Sequence, residues 1–235
     1  MRSGRQAATI ADERLDGMSA AWKEGARGKL GDMGTRPEVF IIESLSLEDE
    51  RAGRQEGEIL SRMLKLAGKR HTRYYYIRTE RELDEIIDLF EESEYRYLHI
   101  SCHAGPNSMS TTFDDVGYEE LGKKLADVLE GRRLFVSACE MSNERLAAAV
   151  LKGSGCHSLI GPKQMINFDD SAAFWTTFYH LMFKQDDRRM KHRTIEYYVR
   201  ELSTLFGEPI NYFRKSASAT EGFELIAQES GDDAG

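Results

Sequence analysis

Cysteine is scarce in this chain: three in 235 residues, at positions 102, 139 and 156. Few and odd in number, they do not make the framework of a disulfide-stapled secreted domain. They read as free thiols in a reducing, intracellular, cytoplasmic setting. No C-x-x-C pair or zinc-like Cys/His spacing occurs, so no metal is expected. Long apolar runs are missing as well, and none approaches the length that spans a bilayer. Met1-Arg2-Ser3-Gly4-Arg5-Gln6 is followed by Ala, Asp and Glu instead of an apolar segment, so no signal peptide is expected. Positive charge is in deficit, with 32 Lys and Arg against 40 Asp and Glu and a net charge of -8. Such a surface disfavours nucleic acid and anionic membranes, which need clustered basic side chains. A peptide or protein with a basic face suits it better. Gly28, Gly31 and Gly34 precede the first apolar run instead of following it, so there is no dinucleotide fingerprint, and no cofactor is expected.

What is present is enough for one substantial core with tails: 40% hydrophobic and 31% charged residues. Residues 1–36 read as an arm, with a weak amphipathic stripe through Ile10, Leu15, Met18 and Trp22. From there short apolar runs alternate with helical patterns. Strands are predicted at 39–42, 74–77, 95–102, 133–138, 158–160 and 210–213. Helices are predicted at 58–67, 79–90 (with Thr79 as cap), 118–129, 143–152, 170–184 and 190–206. The polar stretch 104–117 reads as a loop with a small hairpin near 109–113, and the acidic tail over 217–235 as loose. Strands this short and this continuously apolar belong to a parallel sheet covered on both faces. The fold class is therefore α/β, with one domain over residues 37–216. Ligands of such sheets bind beyond the carboxyl ends of the strands.

Two segments end there. Tyr97-Leu98-His99-Ile100-Ser101-Cys102-His103-Ala104-Gly105 delivers a histidine into a Gly-containing loop. Leu134-Phe135-Val136-Ser137-Ala138-Cys139-Glu140 delivers a cysteine just before a helix. Thirty-six positions separate His103 from Cys139, room for one crossover. If the two strands are neighbours, about 4.8 Å apart, the side chains end side by side. A thiol nucleophile and its proton acceptor then share a site without a cofactor. Under a period of two, His99, Ser101 and His103 share a face, with His99 a supporting group beneath the sheet end, and Cys102 points the other way as a core thiol. Exposed N–H groups at the helix begun by Ser142 or Asn143 favour an anion near Cys139. The amides of Ala104, Gly105 and Cys139 are candidates to hold an oxyanion.

The same two segments resemble the CHAT-domain family of caspase-like cysteine peptidases, whose strand-borne histidine and Ser-Ala-Cys signature match His103 and Cys139. Asp170-Ser171-Ala172-Ala173-Phe174 with Phe178-Tyr179 is similar to that family's downstream helix, and Pro209 to Phe213 falls where its last strand would. The resemblance spans roughly residues 38–216. It implies the caspase–haemoglobinase fold, a three-layer sandwich around a mostly parallel sheet, and a Cys–His dyad that cleaves peptide bonds. The chain departs from the pattern in having Ala104 before Gly105 and Met141-Ser142 after Cys-Glu. An interaction module that keeps the fold without turnover is therefore the alternative.

In related peptidases that prefer basic residues, an acidic side chain lines the first specificity pocket. Asp170 fits that pattern better than Asp169, although either is also a natural helix N-cap. A pocket for an acidic residue would instead need arginine, for which Arg51 and Arg54 are candidates. Glu43, Glu48 and Asp49 resemble an acidic phosphoacceptor pocket, but strand three ends in His-Ala-Gly with no aspartate. The long polar segment 104–117 is expected to act as a lid, ordered by an activating protein partner.

Overall fold

A computed structural model describes residues 35–226. The N-terminal arm, apart from its last two residues, and the tail beyond 226 lie outside the described residues. The elements run β1 (Arg36–Glu43), α1 (Leu47–Arg51), α2 (Glu56–Leu66), β2 (Arg73–Tyr76), α3 (Glu80–Ser93), β3 (Tyr95–Ser101), β4 (His103–Ala104), β5 (Ser108–Ser110), β6 (Asp115–Gly117), α4 (Tyr118–Leu125), β7 (Arg133–Ser137), α5 (Glu144–Leu151), β8 (Ser158–Pro162), α6 (Phe168–Gln185), α7 (His192–Phe206), β9 (Ile210–Lys215) and β10 (Phe223–Leu225).

Seven strands form one sheet in the order β10-β9-β8-β7-β3-β1-β2. The five strands from β8 to β2 pair parallel, while β9 and β10 add antiparallel edges. Side chains along β1 alternate between the two faces. Phe40 and Ile42 enter a core layer with Leu83, Ile87 and Phe90 of α3 and Leu121 of α4. Val39 and Ile41 enter the opposite layer with Leu60 of α2, Trp175 and Phe178 of α6 and Val199 of α7. With helices on both faces, the architecture is a three-layer α/β sandwich, and this is why the central strands read as unbroken apolar runs.

Local signals account for several boundaries. Thr79 caps α3 by accepting from the Glu82 N–H at 3.2 Å, while Glu82 reaches back to the Thr79 N–H at 3.0 Å, a complete capping box. Asn143 caps α5, accepting from Arg145 N and Leu146 N, each at 3.0 Å. The 104–117 segment is more regular than a polar loop. β4, β5 and β6 form a small antiparallel sheet, with Met109 and Val116 buried in the first core layer. Thr112 anchors it by donating its hydroxyl to Leu45 O at 2.7 Å, and the Tyr118 hydroxyl donates to Gly105 O at 2.5 Å. The segment beyond 217 carries β10, held on β9 by the Phe213–Phe223 ring contact (centroids 5.9 Å apart) and an Arg214–Glu224 ion pair.

One close approach fixes the spacing of α4 and α5. A Cβ built on Gly122 would lie 2.6 Å from Ala149 Cβ and 2.8 Å from Ala149 O. Alanine is the better helix former by about 1 kcal/mol, but here it meets backbone that cannot retreat. Gly122→Ala is expected to lower stability by about 1–3 kcal/mol in urea denaturation. An unchanged or raised midpoint would contradict this packing.

Candidate active site

The site follows from register. Glu43, Ser101 and Ser137, the last residues of β1, β3 and β7, lie in line: Glu43 pairs with Ser101, and Ser101 with Ser137. The alignment continues one residue further, as Ser44 N–H donates to Ser101 O at 2.9 Å and Cys102 N–H to Ser137 O at 3.2 Å. His103 and Cys139 are each two residues beyond their paired serines. They leave adjacent parallel strands at the same height and on the same face. Both line one cleft of about 540 Å³, with Arg54, Glu56, Ser137, Met165, Phe168, Asp169 and Ser171 among its other walls.

His103 is held by a residue that sequence reasoning set aside. Its Nε2 lies 2.6 Å from Asp49 Oδ2, and its ring meets the Phe168 ring edge-on at 5.6 Å. Asp49 comes from the short helix α1, whose cap Ser46 accepts from the Asp49 N–H at 3.1 Å and donates its hydroxyl to Asp49 Oδ2 at 2.5 Å. Arg54 donates to Asp49 Oδ1 at 2.6 Å. The Ser46 hydrogen bond first, then those of His103 and Arg54, hold the Asp49 carboxyl down at about 2. Asp49 is therefore an anion at neutral pH. It keeps the proton of a neutral imidazole on Nε2 and leaves the Nδ1 lone pair for proton exchange. Nothing in local spacing marks Asp49, which lies 54 positions from His103.

Cys139 is half-buried in the turn that leaves β7. The turn is tight: Glu140 adopts a left-handed φ of 55°, its carbonyl accepts from Asn143 Nδ2 at 2.8 Å, and its N–H donates to Gln164 O at 3.3 Å. The Cys139 thiol points toward Ile166 O, 3.8 Å away in the loop after β8. Of the amides considered for an oxyanion, that of Gly105 donates to Ser108 O at 3.0 Å within the β4–β5 turn. Neither Ala104 nor Gly105 lines the cleft, whereas Ala138 and Cys139 do.

Other candidates sort differently. Cys102 does not simply point the other way, as a period of two predicts. It packs against the first core layer and also lines the cleft, because the chain leaves the regular strand at Ser101, and burial pushes its thiol well above the ordinary range. His99 lies under α6, its Nδ1 3.2 Å from the Tyr179 hydroxyl and its ring edge-on to Trp175; burial lowers it to about 3. It is a neutral core histidine. Asp169 stands on the cleft wall, but Asp170 does not: its carboxylate accepts from Asn167 Nδ2 at 3.2 Å, and its charge acts on Glu208. The helix turn between the two explains the difference, since successive helical residues point about 100° apart. Arg54 is at the cleft, tied to Asp49 and lying over the Phe168 ring at 5.6 Å. Among the described residues, no three His, Cys, Asp or Glu side chains are grouped as metal ligands would be.

Glu56 is the surprise. It is the first residue of α2, only 5% exposed, and it forms part of the cleft lining. Burial raises its carboxyl to about 7, against hydrogen bonds from Ser137, Ser171 and Ser101 that lower it. Its position is set by Glu43, which accepts from the neighbouring Gly57 N–H at 2.8 Å and so seats the start of α2 on the end of β1. A Cβ on Gly57 would come within 3.1–3.2 Å of that carboxylate, so glycine admits the approach.

Comparison with solved structures places the fold. A secreted C11 cysteine protease of Bacteroides thetaiotaomicron superposes with a TM-score of 0.55 at 12% identity, covering 78% of this chain and 67% of that one. Caspase-1 of Spodoptera frugiperda gives 0.50 at 12% identity, covering 83% and 85%. No protein-family model and no curated protein sequence matches the chain. The chain thus has the fold of caspase-like cysteine proteases. No helix among the described residues is long and apolar enough to cross a membrane.

The raised Glu56 carboxyl has a consequence for stability. A carboxyl held higher in the folded than in the unfolded chain contributes stability below about pH 4.5, and that contribution is lost as pH rises toward 7. His99, held down by burial, acts oppositely, its cost appearing as pH falls below about 6.5. The two overlap, so the clean measurement is a difference. Relative to wild type, Glu56→Gln is expected to gain roughly 2–3 kcal/mol between pH 5 and pH 8 in paired denaturant titrations. A constant difference would mean that Glu56 is not held protonated.

Proposed function

We propose that this chain is a caspase-like cysteine endopeptidase. The supporting observation is that Cys139 and His103 leave two in-register parallel strands on one face and line one cleft, with an anionic Asp49 on the far nitrogen of the histidine. A protein or peptide substrate lies across the cleft. The Cys139 proton passes to His103 Nδ1, and Sγ bonds to the scissile carbonyl carbon. The oxyanion is held by the amide of Cys139, which is at the cleft, whereas Ala104 and Gly105 shape the turn behind His103. His103 returns the proton to the departing amine as the C–N bond breaks. Water, deprotonated by the same imidazole, then releases the acyl group as a carboxylic acid and restores the thiol. Asp49 orients the ring and stabilises its charged form throughout.

The preferred residue before the cut is basic, in keeping with the carboxylate of Asp169 on the cleft wall and with Arg54 already committed to Asp49. Arg54 is thus spent as a partner for an acidic side chain. An activating protein partner belongs to the same reading. Because the 104–117 flap is already hydrogen-bonded within the chain, such a partner acts by shifting the flap rather than by ordering it.

Cleavage of a fluorogenic peptide library is expected to vanish in Cys139→Ala and to fall about 10²–10⁴-fold in His103→Ala. Equal turnover by wild type and Cys139→Ala would remove the catalytic reading. Asp49→Ala, which unties the ring, is expected to lower kcat about 10- to 1000-fold with little change in KM. An unchanged kcat would reduce Asp49 to a structural role. The second reading, a silent interaction module, is motivated by Ala104 and Met141-Ser142 at positions where the resembled family differs. A thiol-reactive peptide probe separates the two, since labelling that requires both Cys139 and His103 belongs only to the enzyme.

A further inference from the structure

We propose that the Glu56 carboxylate, at the floor of the cleft beside Cys139, selects a lysine or arginine side chain from the residue preceding the cut. This deepens the peptidase reading and rests on it. The cleft has a mouth and a floor of different chemistry. At the mouth, Arg54 is held by Asp49 at 2.6 Å and lies over Phe168, so its charge is already balanced. Asp169 is exposed on the wall and screened by solvent. At the floor, Glu56 is 5% exposed and surrounded by the hydroxyls of Ser101, Ser137 and Ser171, one from each of β3, β7 and α6.

Hydroxyls can hydrogen-bond a carboxyl but cannot neutralise its charge. No Lys, Arg or His forms an ion pair with Glu56 among the described residues. A buried carboxyl without a cation costs free energy unless it stays protonated or a cation arrives. A guanidinium or ammonium on a flexible stem supplies that cation. Its methylenes lie along the cleft wall, and its head reaches Glu56 while the scissile carbonyl remains at Cys139. An acidic side chain in the same place would set two carboxyls together. Glu56 stands at the cleft floor only because α2 begins there, so no local motif announces it.

The groups that bear on Glu56 are Glu43 from β1, Cys102 just beyond β3, and Arg54, His103, Cys139 and Asp169 around the same cleft. His103 and Cys139 affect turnover of every substrate alike. The ratio of kcat/KM for a basic over a neutral residue before the cut therefore isolates the floor. In wild type this ratio (lysine or arginine over glutamine) is expected to rise about tenfold from pH 6 to pH 8 as Glu56 ionises in the free enzyme.

Glu56→Gln is expected to lose about 30- to 100-fold in kcat/KM for basic substrates, to keep its rate on the glutamine substrate within about threefold, and to show a flat ratio against pH. Glu56→Asp withdraws the carboxylate by one methylene and is expected to favour arginine over lysine more than wild type does. It tests the same idea should the glutamine variant fail to fold. A measurement independent of turnover is calorimetric titration with benzamidine near pH 7 in two buffers of different ionisation enthalpy. Wild type is expected to bind it with release of about half a proton, and Glu56→Gln to lose binding.

A basic preference that survives Glu56→Gln overturns the proposal and leaves the peptidase intact. Glu56-dependent benzamidine binding without any peptide turnover overturns the peptidase reading and keeps the cation pocket. Absence of both the preference and the binding overturns the proposal.

Discussion

The in-register parallel pairing of β3 with β7 is the constraint on which the rest depends. Ser101 opposite Ser137 places everything beyond those residues, and a slip of one residue would send His103 and Cys139 to opposite faces of the sheet. Register in a sheet buried on both sides is held by packing rather than by the hydrogen-bond ladder alone. His99, Phe135, Trp175 and Tyr179 form a contiguous aromatic cluster under α6, with centroid separations of 5.2–6.1 Å. A shifted strand would lose that fit, at a cost typical of disrupted cores. The placement of His103 and Cys139 at the strand ends thus rests on apolar side chains well below them.

The same pairing generates the floor of the cleft. The period of two that aims His103 and Cys139 outward also places Ser101 and Ser137 directly beneath them on the same face. These positions are small and polar where a buried strand usually carries Val or Ile. α2 fills the space left, and Glu43 at the end of β1 determines where its first turn sits by accepting the Gly57 N–H. An anion at a helix start is favourable there, which offsets part of the cost of burying Glu43. The acid-rich region after β1 therefore divides into three tasks: Glu43 seats a helix, Asp49 holds an imidazole, and Glu56 remains at the cleft.

Much of the frame was legible in the sequence. The alternation of apolar runs with helical periodicity marked the central strands to within a few residues, and Thr79 and Asn143 marked helix starts through cap chemistry. The two chemistry-bearing segments were legible because a histidine and a cysteine stood at the ends of neighbouring runs. Asp49, Glu56 and the buried serines were not. They come from separate elements, and each reads locally as a solvated polar residue. The polar composition of 104–117 concealed a small sheet because its apolar content is confined to Met109 and Val116, too few to make a pattern. β10 escaped notice for the same reason, since a three-residue antiparallel edge needs only Phe223 as an anchor.

The sequence by itself determined the α/β class, the strands that make the core and the two strand ends that carry sulfur and imidazole, because hydrophobic periodicity and cap chemistry are local. Only the tertiary structure decided which carboxylates attend them. That choice turned on which helix start lies under which strand end, and on a 100° turn separating Asp169 from Asp170 at the start of α6. Distances across 34 to 54 positions of chain, such as Ser137 to Ser171 or Asp49 to His103, are set by the packing of whole elements and leave no trace in the spacing of residues.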